Sequence, residues 1–166
     1  MKNSKALHWF RQDLRLSDNP ALHEASKHDE LIPVYILDDF NSGEHSMGDA
    51  SRFWLHHSLN DLSNNLNQNL SLYEGDPLKT LLDIITRFKI DVVYWNRCYE
   101  PWRIKRDTEI KAKLESKGIL VKHLMDLYYG SPGQLKKTMD RLIKFLLLSI
   151  ARAALNQKSL ESHFLG

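Results

Sequence analysis

The chain has one cysteine, Cys98, so it holds no internal disulfide. It also lacks an apolar leader: "MKNSKALHWF" opens on polar and basic residues. Those two absences make a reducing cytoplasm the expected location. An excess of one charge is missing too. Lys and Arg number 23 against 21 Asp and Glu, a formal +2, which is no electrostatic footprint for binding nucleic acid. The longest apolar stretch, "FLLLSIARAAL", is too short for a membrane span and is broken by Arg152, so no membrane partner is expected. His56 and His57 are adjacent and would point in different directions on a helix, and no other Cys or His spacing suits a metal. No GxxxxGK[ST] or GxGxxG pattern follows any apolar run, which removes support for a nucleotide kinase or a NAD dehydrogenase. A nucleophile elbow is absent as well.

What is present, up to Gly133, is regular alternation. "ALHWF", "LIPVYIL", "LSLYE", "IDVVYWN" and "ILVKHL" read as short strands, several of them apolar on both faces as a helix-covered parallel sheet requires. Between them lie helical patterns. "SDNPALHEAS" starts with Asp18 or Asn19 as N-cap and Pro20 in the first turn; Leu55, Leu59, Leu62 and Leu66 recur at helical spacing. "DPLKTLLDIITRF" is capped by Asp76 and turns Leu78, Leu81, Leu82 and Ile85 to one face, and "PWRIKRDTEIKAKLESKG" ends at Gly118. The order βαβαβαβαβ predicts an α/β fold, a doubly wound, Rossmann-like, five-stranded parallel sheet with helices on both faces. A short C-terminal helical tail, basic and leucine-rich, follows it. At 166 residues the length suits one domain with an appendage.

Ligands of such sheets bind beyond the carboxyl ends of the strands. Those ends read "WFRQDLR", "LDD", "YEGDP" and "WNRCYEP". Rings stack and guanidinium groups hold anions, so the ensemble suits a flat, partly polar ligand. Each residue taken singly has a plainer role. Trp9, Phe10 and Trp95 read equally as core, Arg11, Asp13 and Arg15 as structural ion pairs, and Gly75 with Asp76 as a strand-to-helix turn.

"WFRQDLRLSDNPAL" resembles the opening of the DNA photolyase and cryptochrome family. The resemblance continues through "IPVYILD", "GDASRFWLHHSLNDL", "LYEGDPLKTL", "VVYWNRCYEPWRIKRD" and "LYYGSPGQL", covering residues 6 to 135. It implies that residues 1 to 135 form the N-terminal α/β domain that carries a light-harvesting antenna. In the family a larger helical domain binds FAD and repairs cyclobutane pyrimidine dimers flipped out of damaged DNA. Members with a folate antenna carry an Asn and a Glu after the fourth strand, where this chain has Trp102 and Arg103 in "YEPWR". The resemblance is therefore closer to members holding a deazaflavin or flavin antenna, or none. By that analogy Arg11, Arg52 and Glu100, with Phe10, Ile36 and Leu37 as walls, are the cofactor-binding residues; Arg52 reads equally as a surface ion pair. No catalytic or metal-ligating residue is expected. FAD and damaged DNA are implied only for a full-length form.

The tail breaks the resemblance. In the family a segment like DGSPYxVFTPFYR begins the link to the FAD domain, whereas here stands "KKTMDRLIKFLLLSIAR". Read from the third base of each codon starting in Lys137, the genetic code permits NDGSPYQVFTPFYR: Met139 and Asp140 give Gly, Lys144 and Phe145 give Val or Ile, and Phe145 through Ser149 permit Phe, Thr, Pro, Phe. Residues 136 to 166 are therefore expected to be an out-of-frame helical tail replacing the start of the FAD domain, the slip lying at the adjacent lysine codons 136 and 137. Such a product would lack photolyase activity. The rival expectation is a stand-alone domain that binds a flavin, deazaflavin or nucleotide without catalysis, its tail packing as an amphipathic helix.

Overall fold

The computed structural model describes residues 4–39, 41, 43 and 47–124. The "GSPGQL" segment and the predicted helical tail lie outside the described residues. Strand β1 (Lys5–Phe10) lies at the centre of a five-stranded, all-parallel sheet of order β3-β2-β1-β4-β5, with β2 at Glu30–Leu37, β3 at Ser71–Glu74, β4 at Val92–Asn96 and β5 at Leu120–Leu124. Its register sets Lys5 opposite Glu30 and Phe10 opposite Tyr35. Centrality explains the near-continuous apolar sequences of β1 and β4, which are covered on both sides.

Helices α1 (Pro20–Ala25) and α2 (Asp49–Asn65) cover one face, α3 (Pro77–Phe88) and α4 (Pro101–Glu115) the other. The strand period sorts β1 between them. Ala6 and Phe10 meet Leu22 of α1 and Leu62 of α2, while Leu7 and Trp9 meet Leu81 and Ile84 of α3 and Ile110 and Leu114 of α4. The sheet is thus doubly wound, as the alternation predicts. On α3 the buried stripe is Leu81, Ile84 and Ile85, with Leu78 and Leu82 packed at its margin.

Turn chemistry places the ends. Asn19, rather than Asp18, caps α1 by accepting from the Leu22 N–H at 3.0 Å, and Asp18 takes a left-handed φ of 50°. Asp76 caps α3, accepting from the Leu78 N–H at 3.0 Å after Gly75, whose φ of 116° suits glycine. An Asp76→Ala variant should lose about 1 kcal/mol in urea denaturation. An unchanged midpoint would mean that another group takes over the cap.

Candidate functional site

The β1 alternation that sends Phe10 toward α1 and α2 sends Trp9 and Arg11 to the opposite side, toward α4. There the carboxyl ends of β1 and β2 and the first turns of α4 enclose a cleft of about 310 Å³. Three arginines shape it. Arg106 donates to Asp38 at 2.7 Å and, through Nε and Nη2, to Asp107 Oδ1 at 3.0 and 2.8 Å. Arg11 pairs through Nη1 with Asp107 Oδ2, and Arg103 lies 3.5 Å from Glu100.

Indole rings back these cations. The Arg11 guanidinium lies 5.1 Å from the Trp9 ring centre, and Arg106 lies 5.1 Å from Trp9 and 5.2 Å from Trp102. Arg103 lies 4.6 Å from Trp102. Arg11 is 6% exposed, yet its Nε and Nη2 have no hydrogen-bond partner among the described residues. Leaving a buried charged donor unpaired costs about 1–3 kcal/mol or more, and an acceptor entering the cleft would remove that cost. Cation, ring and open donor together suit a planar ligand carrying acceptors or negative charge.

Of the residues expected to bind a cofactor, Arg11, Ile36 and Leu37 line this cleft. Arg52 stands outside its lining: it donates to Asp39 Oδ2 at 2.5 Å and to the Met47 carbonyl at 3.1 Å, the surface ion pair of its alternative reading. Through Asp39 it steadies one wall. Glu100 precedes α4 and accepts from Gln12 at 2.7 Å, holding a lining residue without lining the cleft itself. Phe10 is fully buried on the other face, 4.4 Å from the His8 ring in an edge contact, and takes no part in the cleft.

Trp102, Arg103 and Arg106 were not among the expected binding residues, although the first two were singled out as the departure from the folate pattern. The signal lay in their spacing: Arg106 lies four residues after Trp102 and three after Arg103, the separations that make neighbours on a helix surface. Which neighbour that side meets is a tertiary fact.

The rest of "RQDLRLSDN" is a buried polar network. Asp13 accepts from the Arg11 N–H at 2.9 Å, from Asn96 Nδ2 at 2.5 Å and from Asn19 Nδ2 at 3.2 Å. Asn96 Oδ1 in turn accepts from the Ala21 N–H at 3.1 Å. The network pins the loop after β1 to α1 and to β4, which fixes Arg11 and Gln12 at the cleft. Of the structural ion pairs expected for Arg11, Asp13 and Arg15, Arg11 forms one, with Asp107; Asp13 accepts from the Asn96 and Asn19 amides, and Arg15 donates to the Asp18 carbonyl. Burial alone would raise the Asp13 carboxyl, but His8, the Arg11 N–H and Asn96 outweigh it and hold it below the usual carboxylate range. Burial pushes His8 down to about 4, only partly countered by Asp13.

Among the described residues no group of His, Cys, Asp or Glu could hold a metal ion, and no helix is long and apolar enough to cross a membrane.

A doubly wound sheet with an arginine- and tryptophan-lined cleft at its strand ends has the arrangement in which α/β domains bind small molecules. Comparison with known proteins narrows the class: the DNA photolyase family model matches residues 6–155. The deoxyribodipyrimidine photo-lyase of Agrobacterium fabrum is 39% identical over 140 residues, covering 82% of this chain and 29% of that protein. A bacterial class III photolyase from Agrobacterium tumefaciens superposes with a TM-score of 0.70 at 39% identity, over 75% of this chain and 26% of that one. An archaeal photolyase from Sulfolobus tokodaii, solved with two FAD molecules, gives 0.63 at 30% identity over 76% and 32%. The chain belongs to the DNA photolyase family, and its described residues form the family's N-terminal α/β domain. It spans under a third of the length of these relatives.

Proposed function

We propose that this domain holds a light-harvesting chromophore in the cleft between β1, β2 and α4, and that the chromophore is a flavin or deazaflavin rather than a folate. The observation that carries the reading is Arg11, a buried lining residue of the cleft with two donor nitrogens that have no hydrogen-bond partner among the described residues. At about 310 Å³ the space lies at the lower end of small-ligand sites, room for a flavin-sized ring system. Trp102 and Arg103, standing where folate-binding members have Asn and Glu, offer a ring and a cation instead. The Sulfolobus tokodaii photolyase with its two FAD molecules and proposed novel light-harvesting cofactor gives the flavin assignment a precedent.

When bound, such a chromophore absorbs light and passes excitation to another group. The chain's own residues do the holding: Arg11 and Arg103 donate to its acceptors, Trp102 packs its ring, and Ile36 and Leu37 exclude water. Titration of the purified chain with FMN, followed by quenching of flavin fluorescence, tests this. Arg11→Gln and Arg103→Gln should each weaken binding about tenfold, the worth of one charged hydrogen bond. Equal affinity in wild type and both variants would overturn the placement.

Light-driven repair of pyrimidine dimers in DNA, with FAD as its catalytic cofactor, is proposed only for a longer form that contains this domain. The out-of-frame reading of residues 138 to 166 belongs with that proposal. The family model's match runs on to residue 155, past the start of the shifted reading, so the gene has to separate the two. A shifted frame downstream of the Lys136 codon that continues into VFTPF and a long helical sequence supports the slip. One that soon closes leaves the leucine-rich tail as part of the domain.

A further inference from the structure

We propose that a second pocket, at the carboxyl ends of β4 and β5 and separate from the chromophore cleft, binds a nucleoside monophosphate. The pocket has a volume of about 270 Å³ and lies between Arg97, Tyr99, Ile104, Lys111 and His123, with Trp95 at its base. Among the described residues its two cations have no close carboxylate partner. Arg97 donates to the His123 ring at 2.7 Å, a neutral acceptor in place of a carboxylate, and Lys111 has only a loose contact with Glu115 at 3.8 Å. Asp107 also lines the pocket, but both its oxygens are taken from the far side, Oδ1 by Arg106 and Oδ2 by Arg11. Burial, with Arg97 and Lys111, holds the His123 imidazole below its ordinary value against the opposing pull of Asp107 and Glu115.

An anion is what this arrangement lacks, and the remaining surfaces give the anion a shape. Tyr99 and Ile104 stand 59% and 49% exposed at the rim, and the His123 ring lies nearly parallel to Trp95, at 22°, on the floor. Exposed apolar rim against an aromatic floor is a slot for a flat ring, and Arg97 with Lys111 at its side is a seat for phosphate. The volume falls just under the usual range for small-ligand sites, which admits a mononucleotide and is too small for a dinucleotide. The position, beyond the carboxyl ends of parallel strands, is where such sheets bind ligands.

The test is calorimetric titration of the full 166-residue chain with AMP, adenosine and inorganic phosphate. AMP should bind saturably and about tenfold more tightly than either part alone. Arg97→Gln and Lys111→Gln, both at the pocket surface, should each weaken AMP about tenfold, while Arg103→Gln, in the chromophore cleft, leaves it within about twofold. That last variant separates the two sites, because failure of the chromophore reading would not move AMP. No saturable AMP binding, AMP no tighter than phosphate, or a loss in Arg103→Gln with none in Arg97→Gln would overturn the proposal.

Discussion

Replacement of Asp13 by alanine is expected to lower the stability of the domain by about 3–5 kcal/mol, the loss that follows when one partner of a buried charged network is removed. Asp13 is 6% exposed, and its carboxylate gathers the Arg11 N–H, Asn96 and Asn19. Without it the Arg11 N–H loses its acceptor, the Asn96 and Asn19 amide nitrogens keep only their bonds to Asn19 Oδ1 and to backbone carbonyls, and the loop that carries Arg11 and Gln12 loses its anchor. Asn96→Ala strikes the same network from β4. It removes one donor to Asp13 and the acceptor of the Ala21 N–H, for about 2–3 kcal/mol. Guanidinium denaturation of both variants measures these losses, and Asn96→Ala keeps the comparison open if Asp13→Ala does not fold. A loss below about 1 kcal/mol in both would show that the network is solvated in solution. The consequence for function is specific: in Asn96→Ala chromophore affinity should fall through misplacement of Arg11, a residue that Asn96 does not touch.

Acid should unfold the domain through His8. The ring is fully buried on β1, neither nitrogen has a hydrogen-bond partner among the described residues, and its pKa falls from 6.5 to about 4. The unfolded imidazole takes up its proton near pH 6.5 and the folded one near 4, so between these values the unfolded state binds more protons. Stability is full above the upper value, falls as pH drops through the window, and is lower by about 3 kcal/mol beneath it. Asp13 adds to the loss at still lower pH, because its folded carboxyl is held below its ordinary value and protonates only there. His8→Leu removes the titrating ring and places a similar volume beside Phe10, so its stability should be nearly flat across the same window. Urea midpoints measured in half-unit pH steps decide the matter. A wild-type slope unchanged in His8→Leu would assign the acid sensitivity to other groups.

How far the sequence told these things depended on whether local chemistry or long-range packing decided them. Strands β1 and β4 were legible because central parallel strands bury both faces and so read as unbroken apolar runs. The Asp76 cap was legible because cap, Pro77 and amphipathic stripe all agree. Between Asp18 and Asn19 both were chemically fit, and only the folded loop selects Asn19, turning its amide toward Asp13 and Asn96.

In the cleft, strand-end position was enough to find Arg11, Ile36 and Leu37. Phe10, expected as a wall, lies on the other face of the sheet from Arg11, as strand alternation requires. Arg106 and Asp38 come from segments far apart in sequence and meet only because α4 docks beside β1. Nothing in either segment's local pattern announces that pairing. The partners of "RQDLR" are long-range for a related reason. Arg11 forms its ion pair with Asp107 across the fold, and Asp13 takes the Asn96 and Asn19 amides.

Whether the Arg11 and Trp102 cleft holds the proposed flavin-type chromophore is tested most directly by the absorption spectrum of the chain, taken after purification and again after loading with FMN and desalting. A visible flavin or deazaflavin band should stay with the protein, leave it on denaturation, and be weakened in Arg11→Gln. A chain that retains no visible chromophore after loading, or that carries only the near-ultraviolet band of a folate, would contradict the proposal.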